Sequence, residues 1–282
     1  MNSNPLVSII IPVYDIEPFF PKFLKHAFGQ TYKNIEYIFI DDCTPDNSMA
    51  ILEETMKQYP ELQDRITILH QEKNSGCCAS RRFALQYAKG DYILPMDADD
   101  WCKKTMVEKM VKAAVKNDAD IVVCNYYRGY DHWNIPDGEK SYKDRSRLLW
   151  ELFREKNLHG YLWNKMIRRS LWVHPEVKWP AHDMQEDLIL SAQFLFLASK
   201  VCFIRNRLYY YRRNNSRSIT RLYRGLESIL INRMNLYYQW KDKGMFEGYE
   251  EGFLERAAAY ANHINRDEFW EKYPELIGYK QQ

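Results

Sequence analysis

Apolar and polar residues alternate in blocks along the first 124 positions. Short apolar runs rich in Ile, Val and Tyr, "LVSIIIP" (6–12), "IEYIFI" (35–40), "ITIL" (66–69), "YILPM" (92–96) and "DIVVC" (120–124), predict strands. Amphipathic stretches near 18–28, 47–59, 79–89 and 104–117 predict helices between them. Such alternation marks βαβ units, so the expected class is α/β, with a mostly parallel central sheet flanked by helices. From 125 to 146 the pattern turns irregular and aromatic, then helical near 144–155. A strand-like "GYLWNKMIRR", a helix at about 185–198 and the run "KVCFIRNRLYYYRRN" follow. In "ESILINRMNLYYQW" and "YEEGFLERAAAYANHI" apolar positions stand three and four apart, which predicts a helical C-terminal appendage. The expected division is a principal domain over 1–220, changing character near 124, and a helical extension over 221–282.

Composition narrows the classes. A chain of 282 residues with 46% hydrophobic content can bury a full core. Its 40 basic and 38 acidic side chains nearly cancel, so no overall field points to nucleic acid or an anionic membrane as the main partner. The opening "MNSNPLVSIIIPVYD" has no basic region before its short apolar run and is read as a first strand, not a signal peptide. No run reaches the roughly 18 apolar residues a spanning helix needs. Cys43, Cys77, Cys78, Cys102, Cys124 and Cys202 show no C-x-x-C spacing and no histidine cluster beside them, which disfavours structural zinc and suggests reduced thiols in a cytoplasm.

In sheets of this kind ligands bind beyond the carboxyl ends of the strands. There the chain places Asp41 and Asp42 after the second strand, and Asp97, Asp99 and Asp100 after the fourth. Like charges so close raise one another's pKa unless a cation sits among them. "DADDWCKKTMVE" matches a calcium loop at its first, third and twelfth positions, but Trp101 and Cys102 stand where that loop needs an oxygen ligand and a glycine. A better reading is a Mg²⁺ or Mn²⁺ site shared with a phosphorylated ligand, since hard cations of this kind need only one or two carboxylates. The competing reading makes these acids helix N-caps, with Asp100 capping the helix that begins near Lys104. Asp46 or Asn47 can cap the helix after the second strand, which leaves Asp41 and Asp42 without a structural task. Asp42 could then accept a hydrogen bond from the imide N–H of a uracil or thymine base.

"VSIIIPVYD", "QTYKNIEYIFIDDCTPDNS", "NSGCCASRRFAL", "GDYILPMDADDW" and the later "QEDLIL" resemble family 2 of the glycosyltransferases, inverting enzymes with the GT-A fold, over roughly residues 6–220. The ordered pair "QTYKNIEYIFIDD" and "DADD" is the specific part, whereas "ED" alone is weak. The resemblance implies a nucleotide-binding half up to about 124 and an acceptor-side half to 220. It implies that Pro12 and Tyr14 line the nucleotide pocket, Asp42 contacts the base and Arg81 lies near the diphosphate. Asp97 would face the ribose and the metal, Asp99 would ligate the metal, and Asp187 would be the catalytic base. The chain departs from the family pattern at Cys43-Thr44-Pro45, where Gly-Ser-Thr is usual, and at Ser80-Arg81-Arg82, where Ala-Arg-Asn is usual.

The implied reaction is metal-dependent and inverting, moving a sugar from a nucleotide diphosphate sugar, expected to be a UDP-sugar, to a saccharide or lipid-linked acceptor. Asp187 can equally be a first-turn acid complementing a helix dipole, and His182 with Glu186 has the spacing of a metal pair but no third ligand. Lys165 resembles a family position near the acceptor; Trp163 could stack on a sugar or belong to the core. Seven arginines between Arg205 and Arg224 suit either a loop closing on a diphosphate or a solvated basic face that touches anionic lipid. A nucleotidyltransferase is disfavoured because "PVYDIEPFFP" lacks the glycine-rich phosphate loop, and a non-catalytic nucleotide-sugar scaffold is the other alternative. The expected location is the cytoplasm, with peripheral contact at the inner membrane face by family analogy.

Overall fold

The isoleucine run near the start of the chain builds the middle of a sheet. In the computed structural model, which describes residues 3–130, 133–215 and 225–281, Val7–Val13 forms β1 and all but one of its residues are buried. A strand buried on both faces needs no polar alternation, which is why the run reads as continuous. The other strands are β2 (Ile35–Asp41), β3 (Ile66–His70), β4 (Tyr92–Pro95), β5 (Trp101–Cys102), β6 (Ile121–Gly129), β7 (Asn134–Asp137), β8 (Lys165–Arg168) and β9 (Val201–Arg212). They make one nine-stranded sheet among the described residues, in the order β3-β2-β1-β4-β8-β6-β9-β5, with β7 also paired to β6. β3, β2, β1 and β4 run parallel, β6 and β9 run parallel to each other, and β8, β5 and β7 are antiparallel to their neighbours.

The sheet lies in the first of two units, which comprises residues 1–139, 161–177 and 197–217. Its helices are α1 (Phe20–Phe28), α2 (Ser48–Met56), α3 (Cys77–Ala84), α4 (Met106–Asn117) and the short α6 (Arg169–Trp172). α1 starts with a proline in its first turn and buries Phe20, Phe23, Leu24, Ala27 and Phe28 in one core with Ile9, Ile11, Tyr37 and Phe39. The second unit takes residues 140–160, 178–196 and 218–282. It carries α5 (Arg145–Arg154), α7 (Glu186–Leu197), α8 (Leu226–Trp240), α9 (Glu250–Ile264) and α10 (Asp267–Lys272).

One segment differs from the sequence expectation. The stretch after 124 is not irregular: β6 continues to Gly129 and β7 follows, because β6 gains partners on both edges from β7, β8 and β9. The pairing of β6 with β9 is bulged, with Cys124 opposite Ile204, Asn125 opposite Arg207 and Tyr126 opposite Tyr209. Arg205, Asn206 and Leu208 are therefore extra residues in β9.

Candidate active site

β1, β2 and β3 end level with one another, and β4 stops short of them, opposite Ile10. Val13 pairs with Asp41 and Asp41 with His70. Beyond them the ladder continues through Asp42 N–H to Val13 O (3.1 Å), Gln71 N–H to Asp41 O (2.9 Å) and Met96 N–H to Ile10 O (3.0 Å). Asp42, Gln71 and Asp97 thus leave the sheet along one edge. Pro12, half-buried, lies within β1 opposite Ile40, and Tyr14, 43% exposed, follows the strand directly.

Asp42 is 3% exposed and has a structural task that its sequence context hides. Its carboxylate accepts from Gln71 Nε2 (2.7 Å), Ser75 N–H (2.7 Å) and Gly76 N–H (2.9 Å), fixing the loop between β3 and α3. Asp41 also has partners: it accepts from Thr44 N–H (2.9 Å) and faces His70 Nδ1 (3.0 Å). The expectation that this pair lacks a structural role is corrected by both. Asp46 joins two loops, accepting from Thr44 Oγ1 (2.8 Å) and Glu17 N–H (2.7 Å). Cys43, between them, holds a left-handed φ of 59°, the conformation that suits the glycine usual at this place in the family pattern.

At the end of β4, Asp97 pairs with Arg81 of α3, Oδ1 to Nη2 at 2.8 Å. Arg81 is 3% exposed and the Asp97 side chain 31%, so the guanidinium is buried while the acid still meets solvent. Asp97 N–H donates to the buried Tyr209 hydroxyl (3.1 Å). Asp99 accepts from Asn215 Nδ2 at 2.7 Å, and its carbonyl accepts from Arg212 Nε at 2.7 Å. Burial raises the pKa of Asp99 against the opposing Asn215 hydrogen bond. Asp100 does not cap α4, whose N-cap is Thr105; it is buried and accepts the Arg212 N–H at 2.6 Å. Its pKa is pushed well up, first by burial and then by the charges of Asp99 and Asp97. Three carboxyl groups are concentrated in four residues here.

Arg212 was legible only as one of seven. Its guanidinium lies 4.5 Å from the Phe19 ring centre and 5.0 Å from that of Trp101, which stacks on Tyr210. Gly129 makes room for this ring, since a Cβ there would lie 2.6 Å from Trp101 Cη2. Arg205, Arg207 and Arg213 are exposed, whereas Arg217, Arg221 and Arg224 lie outside the described residues. Trp163 is a core residue, buried among Tyr126, Tyr161, Tyr209 and Tyr211, which removes it as a sugar platform. Lys165 is also fully buried, donating to Tyr161 O (2.6 Å) and Asn164 Oδ1 (2.9 Å).

Asp187 belongs to the second unit, as the second residue of α7. It is half-buried, beside the buried Glu186. Gln185 precedes the helix with a left-handed φ of 58°, and its carbonyl accepts Ile189 N–H at 3.1 Å. His182 is exposed, and its carbonyl accepts from Asn232 Nδ2.

Among the described residues no three His, Cys, Asp or Glu side chains gather as a ready-made metal cage. Asp97 and Asp99 nevertheless fit a hard divalent cation of the Mg²⁺ or Mn²⁺ kind, which takes one or two carboxylates and completes its shell with phosphate and water. Burial of Asp99 and Asp100 raises their pKa, and a cation beside them would favour the ionised form. Among the described residues no helix is long and apolar enough to cross a membrane.

Residues 8–173 match the model of the family described as glycosyl transferase family 2, a span that stops short of Asp187. Over 225 residues the chain is 31% identical to the glycosyltransferase GlyG of Streptococcus pneumoniae, covering 75% of this chain and 72% of that protein. Its fold is similar to that of S. aureus TarS in complex with UDP-GlcNAc, with TM-score 0.70 and 18% identity, covering 97% of this chain and 79% of that one. It is also similar to the mannosyltransferase PcManGT of Pyrobaculum calidifontis in complex with GDP-Man and Mn²⁺, with TM-score 0.63 and 14% identity, covering 91% and 74%. With the acidic loops standing together at the ends of β1, β2 and β4, and this match over most of the sheet, the chain belongs to glycosyl transferase family 2 and is a glycosyltransferase with a GT-A-like fold.

Proposed function

We propose that the enzyme moves a sugar from a nucleotide diphosphate sugar, specifically a UDP-sugar, to a hydroxyl of a saccharide or lipid-linked acceptor, with inversion at the anomeric carbon. The observation that carries this reading is the convergence of Asp42, Arg81, Asp97 and Asp99 at one edge of the sheet. Asp42, held by the loop between β3 and α3, would accept from the base imide N–H, and the exposed Tyr14 follows β1 at the same edge. The TarS neighbour's UDP-GlcNAc supports the uridine donor, and PcManGT's Mn²⁺ supports the cation.

Asp97 and Asp99 would hold the cation. When bound, it supplies Lewis-acid stabilisation of the charge growing on the leaving diphosphate, a term of several kcal/mol. Asp187 acts as general base: it takes the acceptor hydroxyl proton as that oxygen bonds to the anomeric carbon and the bond to the diphosphate breaks. Attack opposite the leaving group gives inversion in one displacement. By family analogy, the product would be a surface polysaccharide or glycolipid built from the cytoplasmic side, with peripheral contact at the membrane.

A thermal-shift panel of UDP- and GDP-sugars with and without Mn²⁺ tests the proposal. A ligand that binds only the native state at a hundred times its Kd stabilises it by about 2.7 kcal/mol. A UDP-sugar should raise Tm by several degrees in Mn²⁺ and much less in EDTA. Equal shifts with and without metal, or none with any nucleotide, would refute it.

A further inference from the structure

α8 reads as an apolar helix, yet it buries two adjacent polar side chains, Asn232 and Arg233. Both face the segment that introduces α7. Asn232 Nδ2 donates to His182 O (2.9 Å) and Met184 O (3.0 Å), tying two carbonyls of this strap to one amide. Arg233 Nε donates to Gln185 Oε1 (2.9 Å), and its guanidinium lies 3.5 Å from Glu155 Oε2 and 5.3 Å from the Tyr260 ring centre. Gln185 Nε2 completes the circuit, reaching Glu155 Oε2 and Tyr260 Oη, both at 3.3 Å.

This arrangement holds a strained hinge. Gln185 has left-handed φ without being glycine, a conformation costing about 1–2 kcal/mol that persists where surrounding contacts over-determine it. Its carbonyl starts the helix, so its dihedral angles set the direction in which α7 departs and therefore where Asp187, two residues on, is presented. The other side of α7 is fixed too. Gly160 lies so near Leu188 that a Cβ would stand 2.4 Å from Leu188 Cα, and Ser191 Oγ donates to Gly160 O at 2.6 Å. A guanidinium fully removed from water is a costly way to add stability alone. Burial pushes the Arg233 pKa down, against the nearby Tyr260 and Glu155.

We propose that Asn232 and Arg233 are positioning residues for the transfer reaction, fixing the 182–186 strap and through Gln185 the placement of Asp187. This rests on the assignment of Asp187 as the general base. The C-terminal helices then belong to the catalytic apparatus.

The test uses the full chain with Arg233→Lys, which keeps the charge but loses the planar fork, and Asn232→Leu, which removes the amide while filling its volume. Hydrogen exchange supplies the first readout. Both variants should speed exchange of the amides over 186–190 at least about tenfold, because the contacts that close this turn are lost, and leave β1–β4 unchanged. Unchanged strap exchange in both variants overturns the proposal.

UDP release from UDP-GlcNAc, UDP-glucose and UDP-galactose with Mn²⁺ supplies the second, the fastest donor being the reporter. Misplacing a reacting group by about 1 Å costs on the order of a hundredfold. Each variant should therefore lose about ten- to a hundredfold in kcat with donor KM within about twofold of wild type. In an Asp187→Asn background, the same substitutions should lower kcat no further, since they act through that carboxylate. Undiminished losses in that background overturn the positioning role while leaving the base intact. Wild-type kcat in Asp187→Asn itself rejects the base assignment instead.

Discussion

The acidic edge of the sheet and the polar hub of the helical unit handle buried charge in opposite ways. At the edge, Asp97, Asp99 and Asp100 crowd into four residues beside Arg81, Arg212 and Asn215, and burial raises the pKa of Asp99 and Asp100. In the hub, one guanidinium meets Gln185, Glu155 and the face of Tyr260. A site whose carboxyl groups are buried together would gain from a cation that favours their ionised form. A guanidinium held at Nε by Gln185, with Nη1 and Nη2 making no hydrogen bond, fixes geometry instead.

The largest effect that would sharpen this contrast is expected from Asp99→Asn. If Asp99 holds the cation as proposed, its loss should slow UDP release in Mn²⁺ on the order of a thousandfold, the rate equivalent of several kcal/mol. Because burial already opposes ionisation of Asp99, the same variant should melt no lower than wild type by differential scanning fluorimetry. A loss of both activity and stability would place Asp99 among residues that hold the fold, and the contrast would break.

Asp42→Ala should behave differently from its acidic neighbours. It strips the acceptor from three donors, of which two are backbone amides, and charged hydrogen bonds contribute about 1.5–3 kcal/mol each before water replaces them. Urea unfolding should show a loss of about 3 kcal/mol together with weaker UDP binding. A change below about 1 kcal/mol would mean that the loop between β3 and α3 does not depend on this carboxylate.

The smallest expected effect is at Cys43. Glycine there removes a left-handed penalty of about 1–2 kcal/mol but adds about 0.5–1 kcal/mol of unfolded-state entropy. Cys43→Gly should therefore gain about 0.5 kcal/mol by urea unfolding with UDP release unchanged. A clear loss of stability would show that the thiol side chain is itself a packing element.

Much of the sheet could be read in advance because its central strands are continuous apolar runs whose ends coincide with carboxylates. β1 to β4 fall within a residue or so of the expected spans. The far half of β6 was hidden because "NYYRG" owes its extended form to neighbours distant in sequence, β9 above all, and not to its own pattern. The task of Asp42 was hidden for another reason: its partners include the amides of Ser75 and Gly76, and an amide leaves no trace in residue type. Asp100 read as a cap because a helix follows it, yet its partner is the amide of Arg212, 112 positions later. Among the described arginines of the basic run, only Arg212 is buried, and flanking rings from Phe19 and Trp101 distinguish it, a selection no local window displays.

The bulge in β9 makes the placement of Arg212 a matter of counting. With its extra residues in place, Arg212 comes opposite Gly129 and reaches Asp99 and Asp100. Arg205 and Asn206 are exposed, so their side chains can be exchanged with little consequence. Deleting either one would drag the strand end back by about 3.3 Å and turn every following side chain to the opposite face. Evolution can therefore vary the letters of this segment while its length stays fixed, and a natural relative with a shorter β9 would need some other cation beside its acidic loop.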